Sequence, residues 1–122
     1  MYVGRERERL ARVSEICAEL PEATRELSGR HAVFKVRGRT FAYYLDDHHG
    51  DGIVGVVFKT PANEGLIAAD PQRFYMPSYI GHRGWVGLRL DTGPVDWTEV
   101  ADFITDSYIA VAPKRLAAQL EP

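Results

Sequence analysis

Apolar residues along the chain recur first at helical spacing and then with the alternation of strands. Over residues 5–20, Leu10, Val13, Ile16 with Cys17, and Leu20 share one stripe, opposite Glu6, Arg9, Arg12, Glu15 and Glu19. The spacing predicts an amphipathic helix that Pro21 ends. Glu8 and Arg12 attract across one turn, whereas Glu15 and Glu19 mildly repel. Residues 23–29 fit a short edge strand or a plain connector equally, because Leu27 is their one strongly apolar side chain. Ala32, Phe34 and Val36 then alternate with Val33, Lys35 and Arg37. Beyond Gly38, Phe41, Tyr43 and Leu45 alternate with Thr40, Ala42 and Tyr44. This is the pattern of a β-hairpin with Gly38 supplying the positive φ of its tight turn. A polar loop, residues 46–52, leads to the nearly continuous apolar run 53–59, expected to be an inner strand.

Thr60 and Pro61 look like a helix start, with the hydroxyl at the N-cap, proline at the first helical position and Glu64 in the positive first turn. Leu66 and Ile67 would be its buried anchors, and Asp70 before Pro71 its stop. Residues 73–90 crowd Phe74, Tyr75, Tyr79, His82 and Trp85 among Gly81, Gly84 and Gly87. They are expected to form a strand near 73–76, an ordered loop over 77–84 and a second strand from 85 to 90. After the turn at Gly93 and Pro94, Asp96 and Glu99 are spaced as a capping box. Trp97, Val100, Ala101, Ile104, Tyr108 and Val111 then lay a wide apolar helical face on the sheet. Pro113 breaks this helix, and residues 114–120 suit a short terminal one. The reading is a single α+β domain over residues 1–122, an antiparallel sheet packed against helices in the order α-β-β-β-α-β-β-α.

Composition narrows the class. A chain of 122 residues with 45% apolar and 26% charged content is an ordinary globular domain rather than a disordered, collagenous or coiled-coil one. No apolar run approaches the roughly 20 residues that span a bilayer, and the charged start does not suit a signal peptide, so a cytoplasmic protein without a membrane partner is expected. The single cysteine, Cys17, cannot form an internal disulfide and reads as a small core residue. A net charge of −2 removes the bulk electrostatic argument for nucleic-acid binding and leaves only a local basic face to consider.

The order of elements, taken with the runs YIGHRGWVG at 79–87, DWTEV at 96–100 and SYIAVAPK at 107–114, resembles the MmcQ/YjbR family over nearly the whole chain. Phe34-Lys35-Val36, Gly38 and Phe41-Ala42 also suit it. The resemblance implies a compact α+β domain similar to secretion-chaperone and frataxin-like architectures. It also carries a DNA-binding label based on a double-wing fold, and it brings no catalytic residues.

Three constellations carry candidate chemistry. Lys35, Arg37 and Arg39 on one hairpin, with Arg83 as a neighbour, could track phosphates if they share a face; the plain alternative is a solvated strand whose arginines pair with acids. Tyr79, His82, Arg83 and Trp85 could line a pocket for a small anion or a protein partner, Arg83 as a forked donor and His82 as a proton carrier near neutral pH. Alternatively, Tyr79 and Trp85 are core and the loop is a structural corner. The run from Asp46 through His48 and His49 to Asp51 has oxygen and imidazole groups for a divalent metal, yet its spacing is too close for every side chain to reach one ion, and no metal site or cofactor is assigned. Ser78, Ser107, His31 and His82 lack any nucleophile-elbow or triad context, so no catalytic residue is assigned and a non-enzymatic, monomeric protein is expected.

Overall fold

The computed structural model describes residues 2–120, with side chains from Glu8 onward. Helix α1 spans Tyr2–Ala18. Four strands follow: β1 (Ala23–Ser28), β2 (His31–Val36), β3 (Arg39–Asp46) and β4 (Val54–Lys59). Helix α2 (Asn63–Ala69) precedes β5 (Phe74–Tyr75) and β6 (Trp85–Arg89), and α3 (Trp97–Val111) and α4 (Lys114–Ala117) close the described chain. The strands form one antiparallel sheet in the order β1-β2-β3-β4-β6-β5.

Register explains the core. Ala32, Tyr44, Val56, Leu88 and Phe74 stand opposite one another across five strands, and Phe34, Ala42, Phe58 and Val86 form the next row. Because side chains alternate faces along a strand, both rows point to one side. There they meet Val13 and Cys17 of α1, and Val100, Ile104 and Tyr108 of α3, all buried. Phe41 joins them through a bulge, a register shift between Phe34 and Lys35, and its ring meets Tyr108 edge to face at 5.3 Å.

The undecided segment 23–29 is a strand, so four strands rather than three precede α2. It pairs along its whole length with β2 while five of its six residues stay exposed, so no apolar period could announce it. Helix α2 begins at Asn63 rather than Pro61, because the Thr60 amide is bonded to the Gly84 carbonyl at 2.8 Å and the Thr60 hydroxyl accepts from Ala62. Leu66 and Ile67 are half-buried anchors. Asp96 caps α3 by accepting from Thr98 and Glu99, but the capping box is not closed: the Glu99 carboxylate takes Arg73 at 2.7 Å. No helix of the described residues is long and apolar enough to cross a membrane.

Candidate ligand-binding cleft

The opposite face of the sheet carries the other half of each alternation: Val33, Tyr43, Val57, Gly87 and Tyr75 lie in one row. Gly87 has no side chain to fill its place, and the Tyr75 ring lies over it. A Cβ on Gly87 would stand 2.2 Å from that ring, and one on Gly55 would stand 2.8 Å from the Tyr75 hydroxyl. Two glycines inside strands thus make room for the ring, which becomes the floor of a cleft.

The cleft holds about 430 Å³ between two loops. One wall is the β3–β4 connection, tied by bonds from the Gly52 amide to the Asp47 carboxylate at 2.7 Å and from the Ile53 amide to Asp51 at 2.9 Å. Asp47 and His49 sit at φ of 57° and 56°, an uncommon conformation for residues other than glycine. The other wall is residues 76–80, where Tyr79 is at φ 70° and 79% exposed. Asn63 secures that loop by donating to the carbonyls of Gly81 and Trp85. The Met76 side chain occupies the space a Cβ on Gly81 would need. The His49 ring, which does not itself line the cleft, meets the lining residue Tyr79 edge to face at 5.9 Å.

His48 lines the cleft and stands 3.9 Å from His49 and 5.4 Å from His31, ring centre to ring centre. Burial, and then the neighbouring imidazoles, hold it below the usual histidine range, so it is neutral near pH 7. His31 accepts the Asp46 amide at Nδ1, which leaves its proton on Nε2 when neutral. Burial, with Asp51 and Asp91 nearby, pushes the Tyr75 phenol up. Among the described residues, no group of three or more His, Cys, Asp or Glu side chains could hold a metal ion.

The expected ligand residues separate. Tyr79 is at the rim and exposed, so it is not core. His82 and Arg83 are exposed on the short turn Gly81–Arg83 and do not line the cleft. Trp85 is 8% exposed behind Tyr43, its ring 5.5 Å away edge to face. The basic hairpin is largely engaged with neighbours. Lys35 pairs with Glu26 at 2.7 Å, Arg37 grips Glu22 with a fork at 2.6 and 3.0 Å, and Arg39 donates to the Val111 carbonyl at the end of α3 at 3.2 Å. Register puts Arg83 near the same end of the sheet as this hairpin, with β4 between them, whereas the cleft extends toward the β3–β4 loop. Tyr43 and Tyr75 were missed as site residues, and the sequence pointed to the His48 and His49 loop only as a metal-ligand candidate. The one local signal was Gly87 inside an apolar strand run, a mark of close approach by another group.

A wider groove of about 790 Å³ lies between α1 and the segment before α3, walled by Glu8, Arg12, Glu15 and Trp97. Its large ring is already covered, since the Arg12 guanidinium lies 5.2 Å from the Trp97 centre.

These features define a single-domain α+β protein with helices on one sheet face and an aromatic cleft on the other. The YjbR family model matches residues 18–110. The chain belongs to the YjbR family. No curated protein is a significant match to the sequence. The crystal structure of Deinococcus radiodurans protein DR2400, described as a DUF419 family-model domain, is similar with a TM-score of 0.66. The two share 24% identity over 87% of this chain and 83% of that one, a likeness that shows the fold alone.

Proposed function

We propose that this chain is a small, non-enzymatic binding module whose site is the cleft between the β3–β4 loop and residues 76–80. The observation that carries this reading is the pair His49 and Tyr79, two rings from separate loops, each on a left-handed backbone, meeting beside the cleft that Tyr79 lines. Such a conformation costs of the order of 1–3 kcal/mol at a residue other than glycine and tends to persist at ligand sites. Tyr79 recovers little of that cost by burial, being 79% exposed. A cleft of about 430 Å³ with apolar walls and a few polar groups suits a small organic ligand. The anion expected on His82 and Arg83 has less support, because both side chains lie outside the cleft. DNA binding, which the resemblance carries, is also less supported: phosphates would have to displace Glu26 from Lys35, Glu22 from Arg37 and a helix carbonyl from Arg39.

The test is a titration of ¹⁵N-labelled protein with small aromatic fragments and, separately, with a short DNA duplex. Shifts confined to residues 43–53 and 75–80 on adding fragments support the cleft. The reading fails if no fragment moves those residues, or if DNA moves residues 22–40 and the fragments move nothing.

A further inference from the structure

Resting on that reading, we infer that the cleft selects a small organic cation, an alkylammonium bearing an aromatic ring, over neutral and anionic molecules of the same shape. With His48 neutral, Asp51 is the one charged side chain among the described residues lining the cleft, and no lysine or arginine lines it. Asp51 is fixed: one carboxylate oxygen accepts the Ile53 amide at 2.9 Å, and the other takes no hydrogen bond among the described residues. Its field reaches the floor and the wall, since it raises the Tyr75 phenol and works against the lowering of His48.

The surrounding surfaces are aromatic. Tyr43, Tyr75 and Tyr79 contribute rings, and a ring face attracts a cation through its quadrupole. Arg89, whose charge also reaches Tyr75, is held in a forked pair by Asp91 at 3.0 and 3.2 Å, so it offers no free guanidinium to an anion. An anion would face Asp51 without a countercharge, and a neutral ligand would bury its ring but gain nothing from the carboxylate. The occupant is a free small molecule rather than a lysine of another protein, because two loops wall the cleft and its volume, about 430 Å³, suits a small ligand.

The experiment compares 2-phenylethylammonium, 2-phenylethanol and phenylacetate against the full chain at pH 7, with affinity and location both read from amide shifts. The ammonium should bind roughly tenfold more tightly than the alcohol, with phenylacetate weakest. Asp51→Asn keeps an oxygen for the Ile53 amide, so the loop should hold, and the preference should shrink to about twofold. Equal binding of the alcohol and the ammonium in the cleft would overturn the cation inference and leave the cleft reading standing. An ammonium preference untouched by Asp51→Asn would overturn it as well. If none of the three moves residues 43–53 or 75–80 in folded protein, both readings fail.

Discussion

Ser107 donates its hydroxyl hydrogen to the Phe41 carbonyl at 2.6 Å and accepts the Lys59 amide at 2.8 Å, so one buried side chain of α3 joins two neighbouring strands. The bulge is the reason this is needed. Lys35 stands opposite Thr40 and Phe34 opposite Ala42, which leaves Phe41 without a place in the β2 register. The β3–β4 register likewise stops at Ala42 and Phe58. The hydroxyl therefore replaces a rung the sheet cannot make. Ser107→Ala leaves a buried carbonyl and an amide unpaired and should cost about 1–3 kcal/mol. Urea unfolding checks it, with a lower midpoint and an unchanged slope expected. An unchanged midpoint would mean that water satisfies both groups.

The floor of the cleft depends on Gly87 in the same local way. A methyl group there would overlap three atoms of the Tyr75 ring, all nearer than 2.7 Å. The ring would have to leave the sheet face and take β5 with it. Gly87→Ala should destabilise the fold by about 1–3 kcal/mol through overpacking and abolish fragment binding in the cleft. Pairing it with Tyr75→Leu should recover part of the stability without recovering binding. Urea midpoints and fragment titrations of the single and double variants decide this, and strict additivity would contradict a direct clash between the two residues.

Strand β2 was legible because one of its faces is dry: Ala32, Phe34 and Val36 point inward, and a half-buried strand writes that requirement as alternation. In β3 the bulge instead puts Ala42 and Tyr44 rather than Tyr43 and Leu45 in the core, and β4 is an inner strand written as a continuous apolar run. The Asp96 cap was legible from its own neighbours. Strand β1 was not, because it is held by pairing with β2 rather than by burial. Nor was the second left-handed residue of the β2–β3 turn. Arg37 sits at φ 50° beside Gly38 at 78°, as the twist of a two-residue hairpin demands whatever the residue type. Of the site, aromatic density pointed to the loop holding Tyr79. Tyr43, Tyr75 and His48 come together only through strand register and loop conformation, which no local pattern encodes.

Glu22 controls what the basic hairpin can offer. The fork from Arg37 holds the Glu22 carboxyl below its usual range, and Glu22 itself sits at φ 56° next to the start of β1. If the hairpin binds phosphate, Glu22→Gln should free Arg37, tighten binding to a fluorescent duplex and steepen its salt dependence. If the cleft is the site, that substitution should leave fragment binding unchanged and produce no salt-dependent DNA signal. Fluorescence anisotropy across a salt series separates the two outcomes.

His48 gives the cleft a dependence on pH. Burial, and then its imidazole neighbours, lower its affinity for a proton in the folded chain, while the unfolded chain keeps the ordinary histidine value of about 6.5. The unfolded state therefore binds more protons as the pH falls through that value. The contribution of His48 is fully present above about pH 6.5 and is lost progressively toward the lower folded value. The neutral ring packs between His31 and His49, and charging it takes a cation into a partly desolvated place at the cleft wall. Urea midpoints of the native protein should fall between pH 7 and pH 5 more steeply than those of His48→Asn. The His48 ring resonances should titrate below those of a histidine in a disordered peptide. Parallel pH profiles for the two proteins, or a His48 ring that titrates at the peptide value, would show that the cluster does not hold this side chain neutral.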